Sequence, residues 1–290
     1  MENLLTRSPG WLALVVALVL LEVVWRVRGG RGYDTRTAMT TLGLAAGNIP
    51  AALLNGLLIG AVFAAAWKVA PVHLPLDDWK TWVAGFVAVE FAYYWFHRAS
   101  HRVRWLWATH AVHHSPEEMT LLSSLRLGWT NLLSAGWLFY APLILMGFDP
   151  RLVALLLALD LRYQFFLHTE AKLWFGPLEW LLNTPSHHRA HHGRNEAYLD
   201  SNYGGVIIVF DRLFGTFRAE RAKEPVEFGL KGRMPEPNPI RLAFREWRDL
   251  FADMLRAQGL HHAARIALAP PGATVPPPRK NQRHRRAARA

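Results

Sequence analysis

The sequence predicts an all-α integral membrane protein, with about four to five membrane helices arranged in hairpins and a histidine-rich dinuclear metal site at one face. Three observations predict it. Hydrophobic residues make up 51% of the 290-residue chain and fall in long blocks rather than evenly. The formal net charge of +11 marks basic aqueous faces around those blocks. Histidines recur in three groups, His97-x-x-x-His101, His110-x-x-His113-His114 and His188-x-x-His191-His192. On a helix, positions i, i+3 and i+4 share a face, so each group is expected to point its imidazoles one way. One metal seldom takes more than six ligands and structural zinc stops at four, so eight converging histidines imply two metals.

The first block, Trp11 to Trp25, is followed by RVRGGRGYDTR. A secretory signal would carry its positive charge before the apolar run and a small-residue cleavage site after it. Here the charge follows, so the block reads as a retained anchor with its C-terminal end in the cytoplasm, although Glu22 interrupts it. A second block runs from about Leu42 to Trp67, broken by Asn48-Ile49-Pro50 and Asn55, and a third from about Trp79 to Phe96. The short, nearly neutral KVAPVHLPLDDWK joins them into a hairpin that returns to the arginine-bearing side, where the third block ends at His97. A second hairpin, Asn131 to Phe148 and Leu152 to Leu167, turns at Phe148-Asp149-Pro150-Arg151 and ends at His168. Each of its arms is near the lower limit for spanning, which leaves tilted or re-entrant helices open. His97–His114, His168 and His187–His192 then all fall on one face of the membrane.

Beyond the last histidine group, GRNEAYLDSNYGGVIIVFDRLFGTF is loop-rich, with a short apolar run at Val206–Phe210. Ile240, Phe244, Trp247, Phe251 and Leu255 form one apolar stripe and predict an amphipathic helix that packs on the cytoplasmic side. Past Ala269 a Pro-rich and Arg-rich tail is expected to be unstructured and to touch anionic lipid headgroups. The expected divisions are an anchor and basic loop over 1–37, the metal-bearing membrane domain over 38–235, the amphipathic helix over 236–268 and the tail over 269–290.

There is no cysteine, so disulfides, thiolate zinc sites, iron–sulfur clusters and cysteine nucleophiles are excluded. Any metal must be held by nitrogen and oxygen. The basic charge also suits nucleic acid, but apolar blocks of this length argue against such a partner. Imidazole suits Zn, Cu, Fe and Ni. A hydrolytic zinc site needs three ligands and an open position, whereas eight nitrogens beside a lipid-facing cavity suit two irons that bind and cleave O2. Such a centre attacks unactivated C–H bonds, which no side chain does unaided. A histidine-rich metal transporter or sensor is the competing reading. It expects ligands along a path within the spans rather than clustered at one face.

HRASH, HAVHH and HRAHH, together with QFFLHTE, TPSHHRAHHGRN and YLDSNYGGVIIVFDRLFGTF, resemble the fatty acid hydroxylase/sterol desaturase superfamily of membrane non-haem di-iron oxygenases. The resemblance covers roughly residues 78–217 and is greatest to the branch of alkylglycerol monooxygenases and their bacterial relatives. It implies membrane helices beneath a cytoplasmic helical cap and O2-dependent hydroxylation of a long-chain lipid; the expected location is a bacterial inner membrane. Desaturation or oxidative demethylation by the same centre is the alternative. Carried over by position, the implied ligands are His97, His101, His110, His113, His114, His188, His191 and His192, with His168 as a ninth. No fused redox domain is evident, so electrons are expected from a separate ferredoxin, cytochrome or pterin.

Two carboxylates within apolar blocks complete the expected site. Glu90 stands seven residues before His97 and Asp160 eight before His168, each on the helix face of its histidine and each within an apolar block. They are candidate catalytic residues that hydrogen-bond ligand imidazoles. The plain structural alternative is ion pairing with Arg98 or Arg162. His187 is expected outside the ligand set, and His73, His261, His262 and His284 are expected to be solvated. Tyr93–Phe96, Trp105 and Trp107 suit an interfacial belt or a substrate tunnel.

Overall fold

The computed structural model describes residues 9–277. These form helices and turns, and two isolated bridges, Leu182–Ile207 and Arg221–Glu224, are the only β pairing among them. The helices are α1 (Pro9–Arg28), α2 (Thr35–Lys68), α3 (Trp79–Arg102), α4 (Arg104–His110), α5 (Asn131–Ser134), α6 (Ala141–Leu145), α7 (Pro150–Leu167), α8 (Pro185–His191), α9 (Val209–Leu213), α10 (Pro239–Leu255) and α11 (Leu260–Leu268). Helix starts follow local chemistry. Asp34, Asp78, Asp149 and Asn238 each accept from a first-turn backbone N–H, and Pro150 and Pro239 take first-turn positions where no N–H is needed.

Two helices, α1 and α2, are long and apolar enough to cross a membrane. Helix α2 runs through Pro50 without ending, so the expected interruption there does not occur. Asn55 is buried instead. Its side chain donates to Trp129 O (3.2 Å) and accepts from Leu132 N (3.2 Å), so it stitches α2 to the start of α5. The block from Asn131 to Phe148 is not one helix. Ala135 adopts a left-handed φ of 59°, and a 3₁₀ turn at Gly136–Phe139 separates α5 from α6.

The main core lies where α3, α6 and α7 meet, around Val89, Ala92, Tyr140, Ile144, Phe148, Leu152 and Leu156. Burying such side chains stabilises by roughly 1.5–3 kcal/mol each. A second core joins α4 to α10 and α11 through Ala108, Trp247, Leu250, Ile266 and Ala267. The amphipathic helix therefore packs on α4, the segment that begins the second histidine group. Glu22 on α1 is buried and accepts from Leu121 N (2.7 Å) and Thr169 Oγ1 (2.9 Å). Arg26 pairs with Glu118 and Glu170, both at 3.0 Å. The basic end of α1 is thus fastened to the segments that follow His114 and His168.

Two expectations about the C-terminal part are corrected. His262 is buried rather than solvated: Nδ1 accepts from Gln258 N (3.1 Å) and Nε2 donates to Val275 O (3.0 Å). The chain after Ala269 is held through Val275, because Ala269 O also accepts from Arg104 N (2.9 Å). The basic stretch from 278 onward, with His284 and the expected lipid contacts, lies outside the described residues.

Candidate metal centre

Nine histidines converge in two adjoining groups. His97, His101, His110, His114 and His191 form one, and His113, His168, His188 and His192 form the other. Within each group the ring nitrogens lie within 4.8 Å of one another. The sequence motifs do not each face one way, as their spacing suggests. His110 and His114 serve the five-histidine group while His113 serves the other. His188 and His192 serve the four-histidine group while His191 crosses back. Residues i and i+4 are about 40° apart around a helix, whereas i+3 lies about 60° to the other side. A pair of facing motifs can therefore share two positions, each giving two ligands to one and one to the other.

The arrangement follows from how the segments are built. His97 and His101 occupy the last turns of α3, which continues to Arg102 rather than ending at His97. His110 ends α4, and a hydrogen-bonded turn (His113 N to His110 O, 2.9 Å) swings His113 and His114 inward. His168 caps α7, and α8 carries the last motif. Four rings are oriented by backbone carbonyls. His97 Nδ1 donates to Tyr203 O (2.8 Å), His113 to Arg126 O (3.3 Å), His168 to Gln164 O (2.7 Å) and His191 to Ser201 O (2.8 Å). Each such bond places the proton on Nδ1 and leaves the Nε2 lone pair for a metal. Those carbonyls leave no side-chain signature, which is why the sequence did not reveal them.

The residues fit a metal pair. His97 Nε2 and His110 Nε2 are 3.0 Å apart, His110 and His114 3.1 Å, His168 and His188 3.2 Å, and His113 and His168 3.3 Å. Such separations match the edges of coordination polyhedra with metal–nitrogen bonds of about 2.1 Å. His101, His191 and His192 each keep a buried Nε2 with no protein partner. Burial holds His110, His114, His188 and His192 well below the usual imidazole range, His113 at about 4 and His191 at about 3, so all are neutral donors at pH 7. The all-nitrogen donors suit a transition metal such as Fe, Zn, Cu or Ni, and five in one group exceed the structural zinc tetrahedron.

A cavity of about 690 Å³ opens over the centre, reaching His101, His114, His191 and His192. Its wall mixes Arg104, Arg194, Lys231 and Arg233 with Asp200, Glu246 and Asp253. Trp107 lines it and packs against His101 (5.2 Å) and His114 (5.6 Å). Tyr93 and Tyr94 are buried and bonded to Gln164 and Thr216, so they are framework rather than belt residues. His187 lies in neither group and packs edge-on to Phe217. Asp211 accepts from Tyr203 N, Gly204 N and Thr216 Oγ1, which holds the loop whose carbonyl orients His97.

Glu90 and Asp160 make no hydrogen bond to a ligand imidazole. Glu90 Oε2 accepts from Val206 N and Ile207 N, and Asp160 Oδ2 from Gln164 Nε2. Nor do they pair with the neighbouring arginines. Arg98 donates to Tyr94 Oη (3.0 Å), and Arg162 lies 4.8 Å over the Trp11 ring.

Comparisons with known proteins agree with this geometry. The fatty acid hydroxylase family matches residues 82–216. Alkylglycerol monooxygenase of Homo sapiens is 36% identical over 262 residues, covering 89% of this chain and 58% of that protein. The Danio rerio alkylglycerol monooxygenase is 36% identical over 267 residues, covering 91% of this chain and 59% of that protein. An ornithine lipid hydroxylase of Rhizobium tropici is 28% identical over 230 residues, covering 77% of this chain and 68% of that protein. The chain thus spans little more than half the length of the first two. No solved structure matches it. With the three histidine motifs inside the matched span and nine imidazoles gathered in space, the chain resembles the fatty acid hydroxylase/sterol desaturase superfamily over that span.

Proposed function

We propose that the chain is an integral-membrane, O2-dependent, non-haem di-iron oxygenase that hydroxylates a long-chain lipid, fatty acyl, alkyl or sterol-like, at the cytoplasmic face of a bacterial inner membrane. The observation that carries the reading is the division of nine neutral histidines, buried or half-buried, into two adjoining groups, next to helices whose apolar side chains are largely exposed. The relatives named above, a monooxygenase and a lipid hydroxylase, support the reaction class. The orientation is supported by Arg26, which bears positive charge in the last turn of the first apolar helix and bonds to Glu118 and Glu170 beside the metal-bearing segments. Helices α1, α2, α3 and α7 would cross the membrane, and the broken stretch from α5 to α6 would cross with them, since Gly147 O accepts from Leu74 N (2.8 Å) in the turn between α2 and α3.

A bound iron pair supplies O2 reduction and C–H oxidation that side chains cannot. The protein's own part is positional. His97, His113, His168 and His191 are fixed by their carbonyl partners, so the donor geometry is set before metal or substrate arrives. The reaction consumes lipid, O2, two electrons and two protons and yields hydroxylated lipid and water. Electrons come from a separate reductant, a ferredoxin, a cytochrome or a pterin, for which the cavity over His101 and His114 offers an approach from the aqueous side.

The test is turnover of the iron-loaded protein with reductant, a membrane lipid extract and ¹⁸O2. One ¹⁸O atom per product molecule is expected. Loss of two hydrogens without oxygen gain would replace hydroxylation by desaturation. A reducible protein that consumes no O2 and alters no lipid would support the transporter or sensor reading instead.

A further inference from the structure

Glu90 on α3 and Asp160 on α7 face each other beneath the metal centre, and each is 1% exposed. Glu90 Oε2 takes two backbone donors, Val206 N at 2.9 Å and Ile207 N at 3.0 Å. Asp160 Oδ2 takes Gln164 Nε2 at 2.7 Å. The remaining oxygens, Glu90 Oε1 and Asp160 Oδ1, are buried without a hydrogen-bond partner, and the 205–207 backbone that meets both side chains brings the two carboxyls close enough to interact. Two ionised carboxylates have no hydrogen to share, so a bond between them requires one to be the acid. Two adjacent buried negative charges would also repel strongly at low dielectric. Glu90 already has two backbone donors stabilising its charge, which leaves Asp160 as the protonated member. The packing keeps the pair closed: a Cβ added at Gly205 would lie 2.1 Å from Asp160 Oδ1.

We propose that Glu90 and Asp160 are a positioning pair that shares a single proton and thereby fixes one candidate ligand in each metal group. From Glu90, the held amides of Val206 and Ile207 belong to the loop whose Tyr203 carbonyl takes the His97 Nδ1 proton at 2.8 Å. From Asp160, the bond to the Gln164 side chain, which also accepts from Tyr93 Oη at 2.9 Å, holds the residue whose carbonyl takes the His168 Nδ1 proton at 2.7 Å. His97 belongs to the five-histidine group and His168 to the four-histidine group. One carboxyl–carboxyl bond therefore braces the outer partners of both positions. The inference rests on the histidines forming a metal centre and not on the oxygenase reaction.

The experiment uses the full chain purified in detergent, with infrared spectroscopy and Fe(II) and Co(II) titration. The wild type should show a protonated-carboxyl stretch at neutral pH that shifts in D2O and disappears in Asp160→Asn. The asparagine amide still donates to Glu90 and accepts from Gln164, so this variant should bind both metals within a few-fold of wild type. Asp160→Leu breaks both bonds and should weaken metal binding about 10-fold to 100-fold, the range for loss of an outer partner. The proposal is overturned if folded wild type shows no such stretch, if Asp160→Asn binds metal as poorly as Asp160→Leu, or if Asp160→Leu binds both metals as tightly as wild type. The infrared and Asp160→Asn results decide the matter even if the leucine variant fails to fold, and neither depends on turnover.

Discussion

Replacing His113 by alanine should remove one metal and spare the other. His113 is one of four donors in its group, and His168, His188 and His192 remain. The five donors around His97 are untouched. Loss of a direct ligand should weaken that position by more than the 10-fold to 100-fold typical of an outer partner. The cost to the fold is small, because the one hydrogen bond lost, His113 Nδ1 to Arg126 O, is long at 3.3 Å and worth about 1 kcal/mol or less. Metal analysis of the purified variant should therefore fall from two ions per chain to one, with membrane insertion and helicity unchanged and turnover abolished. His101→Ala is the control. It leaves four donors in the larger group, so two ions should remain with one held more loosely. Two tightly held ions in His113→Ala, or full activity, would refute the division of the ligands; loss of both ions would refute their independence.

The metal-free protein should lose stability on acidification. Burial pushes His187 down to about 4, below the about 6.5 of an unfolded chain, so the unfolded state takes up the proton first. Its contribution is complete above pH 6.5 and is lost as pH falls toward 4, up to about 3 kcal/mol; denaturation at pH 7.5 and 4.5 should show a shallower fall in His187→Gln. Glu22→Leu strands the half-buried Leu121 N–H and should cost about 1–3 kcal/mol, read as a lowered unfolding temperature in detergent, and an unchanged temperature would contradict the tie between α1 and the site. Gly47→Ala places a Cβ 2.1 Å from Trp129 Cζ2, an indole held by its bond to Leu44 O (2.9 Å). A loss of about 1–3 kcal/mol is expected, and no loss would mean that the ring has room to move.

Much of the site could be read from the sequence, because the imidazoles sit at fixed helical spacings in three short motifs. His168 was also legible, placed at the end of an apolar block opposite the others. What spacing could not show was the crossing of His113 and His191, since which face i+3 meets depends on the partner motif and not on its own helix. The partners of Glu90 and Asp160 were misjudged for a related reason. Arg98 and Arg162 are near in sequence, whereas the backbone amides of Val206 and Ile207 arrive from about 116 residues away. Asn131 to Phe148 reads as one mainly apolar block, so hydropathy did not mark the left-handed Ala135 that breaks it. His262 looked like a surface residue because its acceptor, Val275 O, lies in a stretch whose composition suggested no structure.

The crossed histidine motifs have a mechanical meaning for a chain that contains no cysteine. Each metal position draws on the segment near His110–His114 and on the segment near His188–His192, roughly 75 residues further along. A metal bound there closes that loop twice over, much as a pair of disulfides would. Chain-entropy reasoning values one such closure at about 4 kcal/mol. The centre is then a rivet as well as a reactive site. An ion in either position ties the two segments together, so the metal fastens a geometry that the backbone carbonyls have already set.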